Sequence, residues 1–201
     1  MSTILHLDSS IFGENGASTR LGREFVDRWL EVQPETRVIR RDLAAEPLPH
    51  LDATAVAGFM TEAEARTPAQ AEAVARSDAA IDELMAADVL VIGLPLYNLG
   101  VPSTFKAWID HVARAGATFR YTEAGPEGLA GAKKVYVFAT RGGVYAGSDV
   151  DTQTPYIRHI LGLMGITDIE FVHAEGLNMG DAARDAALEA AGRRLGDLAA
   201  A

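Results

Sequence analysis

Three short stretches hold the residue types that could bind a charged, planar ligand. The first is Ser9-Ser10-Ile11-Phe12-Gly13-Glu14-Asn15-Gly16-Ala17-Ser18, rich in hydroxyls and glycine and running straight into a helical pattern. Free N–H groups at a helix start, with the helix dipole behind them, accept a phosphate without needing a lysine. The stretch matches neither G-x-G-x-x-G nor G-x-x-x-x-G-K-[ST], so classical dinucleotide and nucleoside triphosphate binding lose support. The plainer reading of Ser18 is a helix cap. The second stretch, Pro95-Leu96-Tyr97-Asn98-Leu99-Gly100-Val101-Pro102, suits the edge of a flat, partly polar ring: backbone groups read the heteroatoms while side chains pack on the face. Its alternative is a proline-punctuated turn. The third is Thr140-Arg141-Gly142-Gly143, where paired glycines allow close backbone approach and their N–H groups could stabilise negative charge on a reduced ring. An ordinary strand-to-loop turn is the other reading.

The elements around these stretches alternate strand and helix. Strands are expected at Ile4–Leu7, within a strand-like opening from Met1, and at Thr36–Arg41, Val89–Leu94, Val135–Ala139 and Ile169–His173. The apolar run 89–94 has no polar alternation, as in a parallel strand covered on both faces. Helices are expected from about Ser18, where Leu21, Phe25 and Trp29 recur at four-residue spacing, and after Pro102 around Phe105, Trp108, Ile109 and Val112. Another should run from Pro68 to about Ala86, begun by a Thr67/Gln70 capping box and burying Val74, Ile81, Leu84 and Met85. Pro155–Gly165 and an alanine-rich segment from Asp181, with a Glu189–Arg193 pair, complete the set. The segment Leu43–Arg66 is irregular: either a functional excursion or a surface one, with a short helix near Ala53–Gly58. Five strands separated by helices, with no linker or internal repeat, imply one domain over residues 1–201: a doubly wound parallel sheet with helices on both faces. Its common order, 2-1-3-4-5, sets the ends of the first, third and fourth strands side by side, where ligands of open α/β sheets bind. All three stretches meet there. A phosphate cradle beside a slot for a planar ring describes FMN.

Composition narrows the field. The 201 residues include 28 acids against 18 bases, a formal charge of −10, which disfavours nucleic acid as a partner. No cysteine is present, which excludes disulfides, thiolate nucleophiles and cysteine-held metals. No apolar run approaches the roughly 18 residues of a membrane helix, and the opening has no targeting pattern, so the expectation is a soluble, cytoplasmic protein. Neither G-x-S-x-G nor H-E-x-x-H occurs. No metal-ligand spacing surrounds His111 or His173, and both read as structural. Arg120 and Arg141 could meet anionic parts of a cofactor or nicotinamide, or simply be solvated.

Several blocks together carry a resemblance. Pro95-Leu96-Tyr97-Asn98 is followed by Phe105-Lys106-Ala107-Trp108-Ile109-Asp110, then by Gly116-Ala117-Thr118-Phe119-Arg120-Tyr121-Thr122-Glu123 and Gly125-Pro126-Glu127-Gly128-Leu129. With Thr140-Arg141-Gly142-Gly143 and Gly165-Ile166-Thr167-Asp168, they make the whole chain resemble the FMN-dependent NADH:azoreductase and quinone reductase family. The resemblance implies a flavodoxin-like fold and a homodimer with FMN sites at the subunit interface. It also implies two-electron transfer from NADH to quinones or azo bonds by a ping-pong route. By position, Ser10 and Gly16-Ala17-Ser18 would hold the FMN phosphate, and Leu96-Tyr97-Asn98-Leu99 and Thr140-Arg141-Gly142-Gly143 the ring. No catalytic side chain is assigned, because the flavin carries the chemistry. Tyr121 is the expected substrate contact from a loop. Many family members carry an aromatic near position 163; Ile160-Leu161-Gly162-Leu163-Met164 has none, and Phe59 is the substitute wall. The subunit partner is expected against the Phe119–Leu129 loop and the helix carrying Trp108. The competing function is a flavodoxin-type FMN electron carrier. A non-flavin receiver-like domain is disfavoured because Asp8 stands without an acidic pocket.

Overall fold

The apolar run at 89–94 becomes the central strand β3 (Val89–Pro95), every residue of which is buried. The computed structural model describes residues 2–199; Met1, where the strand-like opening was placed, and Ala200 and Ala201 lie outside the described residues. In chain order the elements are β1 (Thr3–Asp8), α1 (Ala17–Val32), β2 (Arg37–Asp42), α2 (Ala53–Phe59), α3 (Pro68–Ala86), β3, α4 (Ser103–Val112), β4 (Phe119–Thr122), β5 (Gly125–Gly128), β6 (Lys134–Thr140), α5 (Gln153–Leu163), β7 (Asp168–Ala174) and α6 (Asp181–Ala199). The main sheet runs β2-β1-β3-β6-β7, all parallel. Counted along that sheet alone, this is the expected 2-1-3-4-5 order.

Strand alternation divides the core. Leu5, Leu7, Leu90, Ile92, Leu94, Val135 and Val137 face α3, α4 and α5, and Trp108, Phe105 and Leu161 fill that side. Ile4, Val89, Val91, Tyr136 and Phe138 face α1 and α6, where the Phe25 ring lies 4.5 Å from Tyr136 and 5.4 Å from Phe138. Burying each such side chain contributes about 1.5–3 kcal/mol. The α3 capping box forms as expected: the Thr67 hydroxyl accepts from Gln70 N–H and the Gln70 side chain accepts from Thr67 N–H. Met85, expected in the core, is 42% exposed; the buried stripe of α3 runs through Ala73, Val74, Ser77, Ala80, Ile81 and Leu84, and Met85 falls beyond its edge.

Residues 119–129, read as a loop, form an antiparallel hairpin, β4–β5. Period-two patterning is absent because both strands are short and largely exposed. The hairpin is held at its base: a Cβ on Gly128 would stand 2.1 Å from Gly165 N, so the two backbones touch only because glycine stands there. Ala130 N–H also donates to the Met164 carbonyl at 3.1 Å. The irregular segment 43–66 is tied down by the α2 cap, where Asp52 accepts from Ala55 N–H at 2.8 Å. His111 Nε2 meets the Pro49 carbonyl at 3.0 Å, so this buried histidine is structural here. Trp108 is fully buried within the chain, so the exposed face of α4 is the one opposite it.

Candidate functional site

Beyond the carboxyl ends of β1, β3 and β6 lies a crevice of about 250 Å³. It brings together Ser10, Gly16, Ala17, Leu96, Tyr97, Thr140, Arg141 and Gly142 from the three expected stretches. Ser18 is buried in the first turn of α1 beside it, and Asn98, Leu99 and Gly143 lie on the adjoining turns.

At one end the chain presents unspent donors. Gly16, not Ser18, is the residue that caps α1, and no side chain caps the helix. The first bond onto the preceding turn is Arg20 N–H to the Gly16 carbonyl, so the N–H groups of Ala17, Ser18 and Thr19 have no partner among the described residues. The Ser18 hydroxyl is fully buried and also unpartnered. A buried donor left without an acceptor costs about 1–3 kcal/mol, and an anion seated here would satisfy several at once. No lysine or arginine lines this end; Arg20, the first along α1, is exposed, and Arg23, the next, is engaged by Glu14 at 2.7 Å. The dimensions are enforced sterically: a Cβ on Gly16 would meet Ser10 Oγ at 2.3 Å. Ser10 Oγ in turn lies 3.3 Å from the Tyr97 hydroxyl and accepts from Phe12 N–H at 3.3 Å. These residues fit a phosphate.

The β3 stretch makes a tight reversal. Tyr97 and Gly100 exchange backbone hydrogen bonds at 3.1 and 2.9 Å, which places Asn98 at φ 49° and Leu99 at φ 58°. A leucine in the left-handed region is strained, and such strain persists only where surrounding structure imposes it. Here the imposing contacts are Thr152, whose hydroxyl donates to the Leu99 carbonyl, and Gln153, whose amide donates to the Pro95 carbonyl at 3.0 Å.

The β6 stretch is clamped from behind. The carbonyls of Arg141, Gly142 and Gly143 accept from Leu177, Asn178 and Gly176 N–H at 3.1, 3.0 and 2.9 Å, whereas the N–H groups of Gly142 and Gly143 find no acceptor among the described residues. Two free N–H groups beside the crevice suit a ring edge on which negative charge develops. Arg141 overturns the reading of a solvated side chain: it is fully buried, with Nη2 2.9 Å from Asp151 and 3.0 Å from Thr154 Oγ1, and Nη1 3.2 Å from Glu175. Glu175 also accepts from Tyr145 and Ala146 N–H at 2.8 and 2.9 Å. Burial alone would raise the Asp151 carboxyl. Hydrogen bonds from Thr154 and Arg141 outweigh it and hold the group below the usual carboxylate value. His173, stacked on Phe171, is held below the ordinary imidazole value, first by burial and then by the Arg141 charge. Arg120 is occupied by Glu127 on the exposed hairpin.

Phe59 and Tyr121 do come together, but along a second groove with Leu51, Val56, Met60 and Phe119 that shares no lining residue with the crevice. The sequence reading missed Phe12, Asn15, Leu177, Asn178, Asp151 and Glu175. Glu175 to Asn178 follow the last strand directly, so its carboxyl end was the available signal. Asp151, in an irregular polar segment, offered none. Among the described residues no three metal-ligating side chains cluster, and no helix is long and apolar enough to cross a membrane.

Comparison with known proteins adds an independent line. A family model described as the flavodoxin-like fold matches residues 2–198. The chain is 54% identical over 192 residues to a protein of Alcanivorax borkumensis named FMN-dependent NADH:quinone oxidoreductase, covering 96% of this chain and 97% of that one. A protein of the same name from Cellvibrio japonicus is 53% identical over 180 residues, 90% of each chain. Among solved structures, an azoreductase from Bacillus anthracis superposes with a TM-score of 0.90 at 30% identity, covering 99% of both chains.

Proposed function

The chain belongs to the flavodoxin-like family of FMN-dependent NADH:quinone oxidoreductases, and from that membership we propose how its own residues serve the reaction. The protein is an FMN-dependent oxidoreductase that moves two electrons from NADH to quinones and aromatic azo compounds. The observation that carries this reading is the pairing, at one crevice, of an unspent helix N-terminus with the free N–H of Gly142 on its wall and that of Gly143 on the adjoining turn. FMN supplies the hydride chemistry when bound. The protein's share is positional. Ser10, Gly16, Ala17 and Ser18 hold the phosphate; Leu96, Tyr97, Asn98 and Leu99 border the ring. Of Thr140, Arg141, Gly142 and Gly143 at its edge, Gly142 and Gly143 present the backbone donors, while Arg141 spends its N–H on the Ala174 carbonyl at 2.9 Å and turns its guanidinium into the protein.

The working unit in this proposal is a homodimer in the cytoplasm, each chain a single FMN-holding domain. What supports the dimer is a groove apart from the crevice, where the exposed apolar side chains of Leu51, Val56, Met60 and Tyr121 surround the half-buried Phe59. A second copy would cover them and bring Phe59 and Tyr121 to substrate in the opposite crevice. Sedimentation of a fully active 21.4 kDa monomer would overturn that part.

The decisive test is anaerobic mixing of the FMN-loaded protein with NADH. Rapid bleaching of the yellow absorbance, restored by a quinone, is the expected result. Flavin that stays oxidised while accepting single electrons from a redox protein would identify a flavodoxin-type carrier instead.

A further inference from the structure

Arg141 raises a question that cofactor binding alone does not answer: why a residue of the ring-edge stretch buries a guanidinium against two carboxylates. Burying three charges is costly, and a well-packed apolar cluster in their place is often at least as stable. The cluster joins segments distant along the chain. Arg141 lies directly after β6, Asp151 and Thr154 at the start of α5, and Glu175 directly after β7. Glu175 additionally gathers Tyr145 and Ala146 N–H, so one carboxylate fixes both the segment after the glycines and the segment that takes their carbonyls. Two carboxylates face one guanidinium. The neighbouring His173 is held toward its neutral form, and Arg158, stacked over Phe171, stands on the solvent side.

We propose that Arg141, Asp151 and Glu175 are positioning residues that aim the Gly142 and Gly143 N–H groups at the ring edge and leave one uncompensated negative charge behind them. The guanidinium sets the geometry. The surplus carboxylate opposes the negative charge that gathers on the ring as it accepts hydride, so it lowers the reduction potential of the bound cofactor and makes the reduced enzyme a stronger donor to quinones. This rests on the FMN reading above.

Three variants separate geometry from charge. Glu175→Gln and Asp151→Asn keep the accepting oxygens while each removes one charge. Each is expected to favour binding of reduced over oxidised FMN by about tenfold, near +30 mV for this two-electron couple, with oxidised-FMN affinity little changed. Arg141→Lys keeps the charge and loses the fork. It is expected to weaken FMN about tenfold and to speed amide exchange at residues 145–146 and 176–178 of the FMN-free protein, whose N–H groups the clamp holds. The potential should stay unchanged or fall, since misaimed N–H groups stabilise the reduced ring less, opposite in sign to the carboxamide variants. A potential unmoved in both carboxamide variants overturns the charge role, because a purely structural cluster would not shift it upward. Unchanged exchange and affinity in Arg141→Lys overturn the positioning role. Wild-type protein that takes up no FMN would sink the functional reading instead, and the exchange arm then decides the clamp alone.

Discussion

The two ends of the crevice solve the same problem with opposite means. At the α1 end a ligand would meet only neutral groups: three main-chain N–H donors, two serine hydroxyls and a helix dipole, all within residues 10–19. At the β6 end the donors are again main-chain N–H groups, but a buried arginine and two carboxylates hold them, drawn from residues 141, 151 and 175. A phosphate keeps its charge throughout turnover, so a fixed array of dipoles serves it and a lysine is unnecessary. A ring that gains and loses electrons is sensitive to every nearby charge, and that is where the chain places its ionised groups. On the proposed FMN placement, the contrast teaches that charge is arranged around the atoms whose charge changes, and kept away from those whose charge does not.

The sharpest way to break the comparison is Gly16→Ala. Gly16 has φ −66°, which any residue adopts, so the effect is purely steric: the new Cβ would stand 2.3 Å from Ser10 Oγ and 2.6 Å from Ser10 Cβ. Ser10 must move, and with it the contacts to Tyr97 and Phe12 N–H. Overpacking of this kind costs roughly 1–3 kcal/mol of stability. FMN affinity should fall roughly 100-fold, the scale of one to two charge-assisted hydrogen bonds. Affinity within about threefold of wild type in a fluorescence titration would show that the phosphate sits elsewhere.

Ser18→Ala sharpens the same contrast with a smaller effect. Without ligand the buried hydroxyl has no partner, so its removal should leave the melting temperature of the FMN-free protein unchanged or slightly raised. FMN should bind roughly tenfold more weakly, the loss of one hydrogen bond to a charged group. Riboflavin, which lacks the phosphate, should be unaffected. An equal loss for riboflavin would move Ser18 from the phosphate to the ring.

How far each end was legible follows from the same contrast. The α1 end is one contiguous run, and its hydroxyls, glycines and helix start can be read together because they are neighbours in sequence. Ser18 still came with two readings, and only its place inside the first turn, with Gly16 as the cap, separates them. The strands were legible because β1, β3 and β6 are buried on both faces and so appear as apolar runs. The β4–β5 hairpin was not, because what fixes it is the Gly128–Gly165 approach, a contact between residues 37 positions apart. Arg141 was misread for a related reason: arginine is usually solvated, and what buries it is Asp151 and Glu175, neither of which carries a local pattern. Tyr121 was read as a substrate contact and Phe59 as a wall beside the flavin, and the folded chain sets both on a groove apart from the crevice, a separation made by contacts distant in sequence.

The mildest test of the comparison is its pH dependence in the FMN-free protein. The residues lining the phosphate end, Ser10, Phe12, Asn15, Gly16 and Ala17, do not titrate, so that end should contribute nothing. The β6 end should contribute twice. His173 has a folded value below the ordinary 6.5, so the unfolded chain takes its proton first. Stability should therefore be fully present above about pH 6.5 and decline as pH falls toward the lower folded value. Asp151 is also depressed, from 3.8. Its contribution is present above that value and lost as pH falls through the folded one, a separate and more acidic step. His173→Gln should erase the first decline and leave the second, whereas Asp151→Asn should remove the second. Both changes should be smaller than the roughly tenfold effect expected at Ser18, since His173 is only half-buried and at Asp151 burial opposes the hydrogen bonds that lower it. A first decline that survives in His173→Gln would assign it to one of the other histidines and leave the ring-edge end as insensitive to mildly acidic pH as the phosphate end.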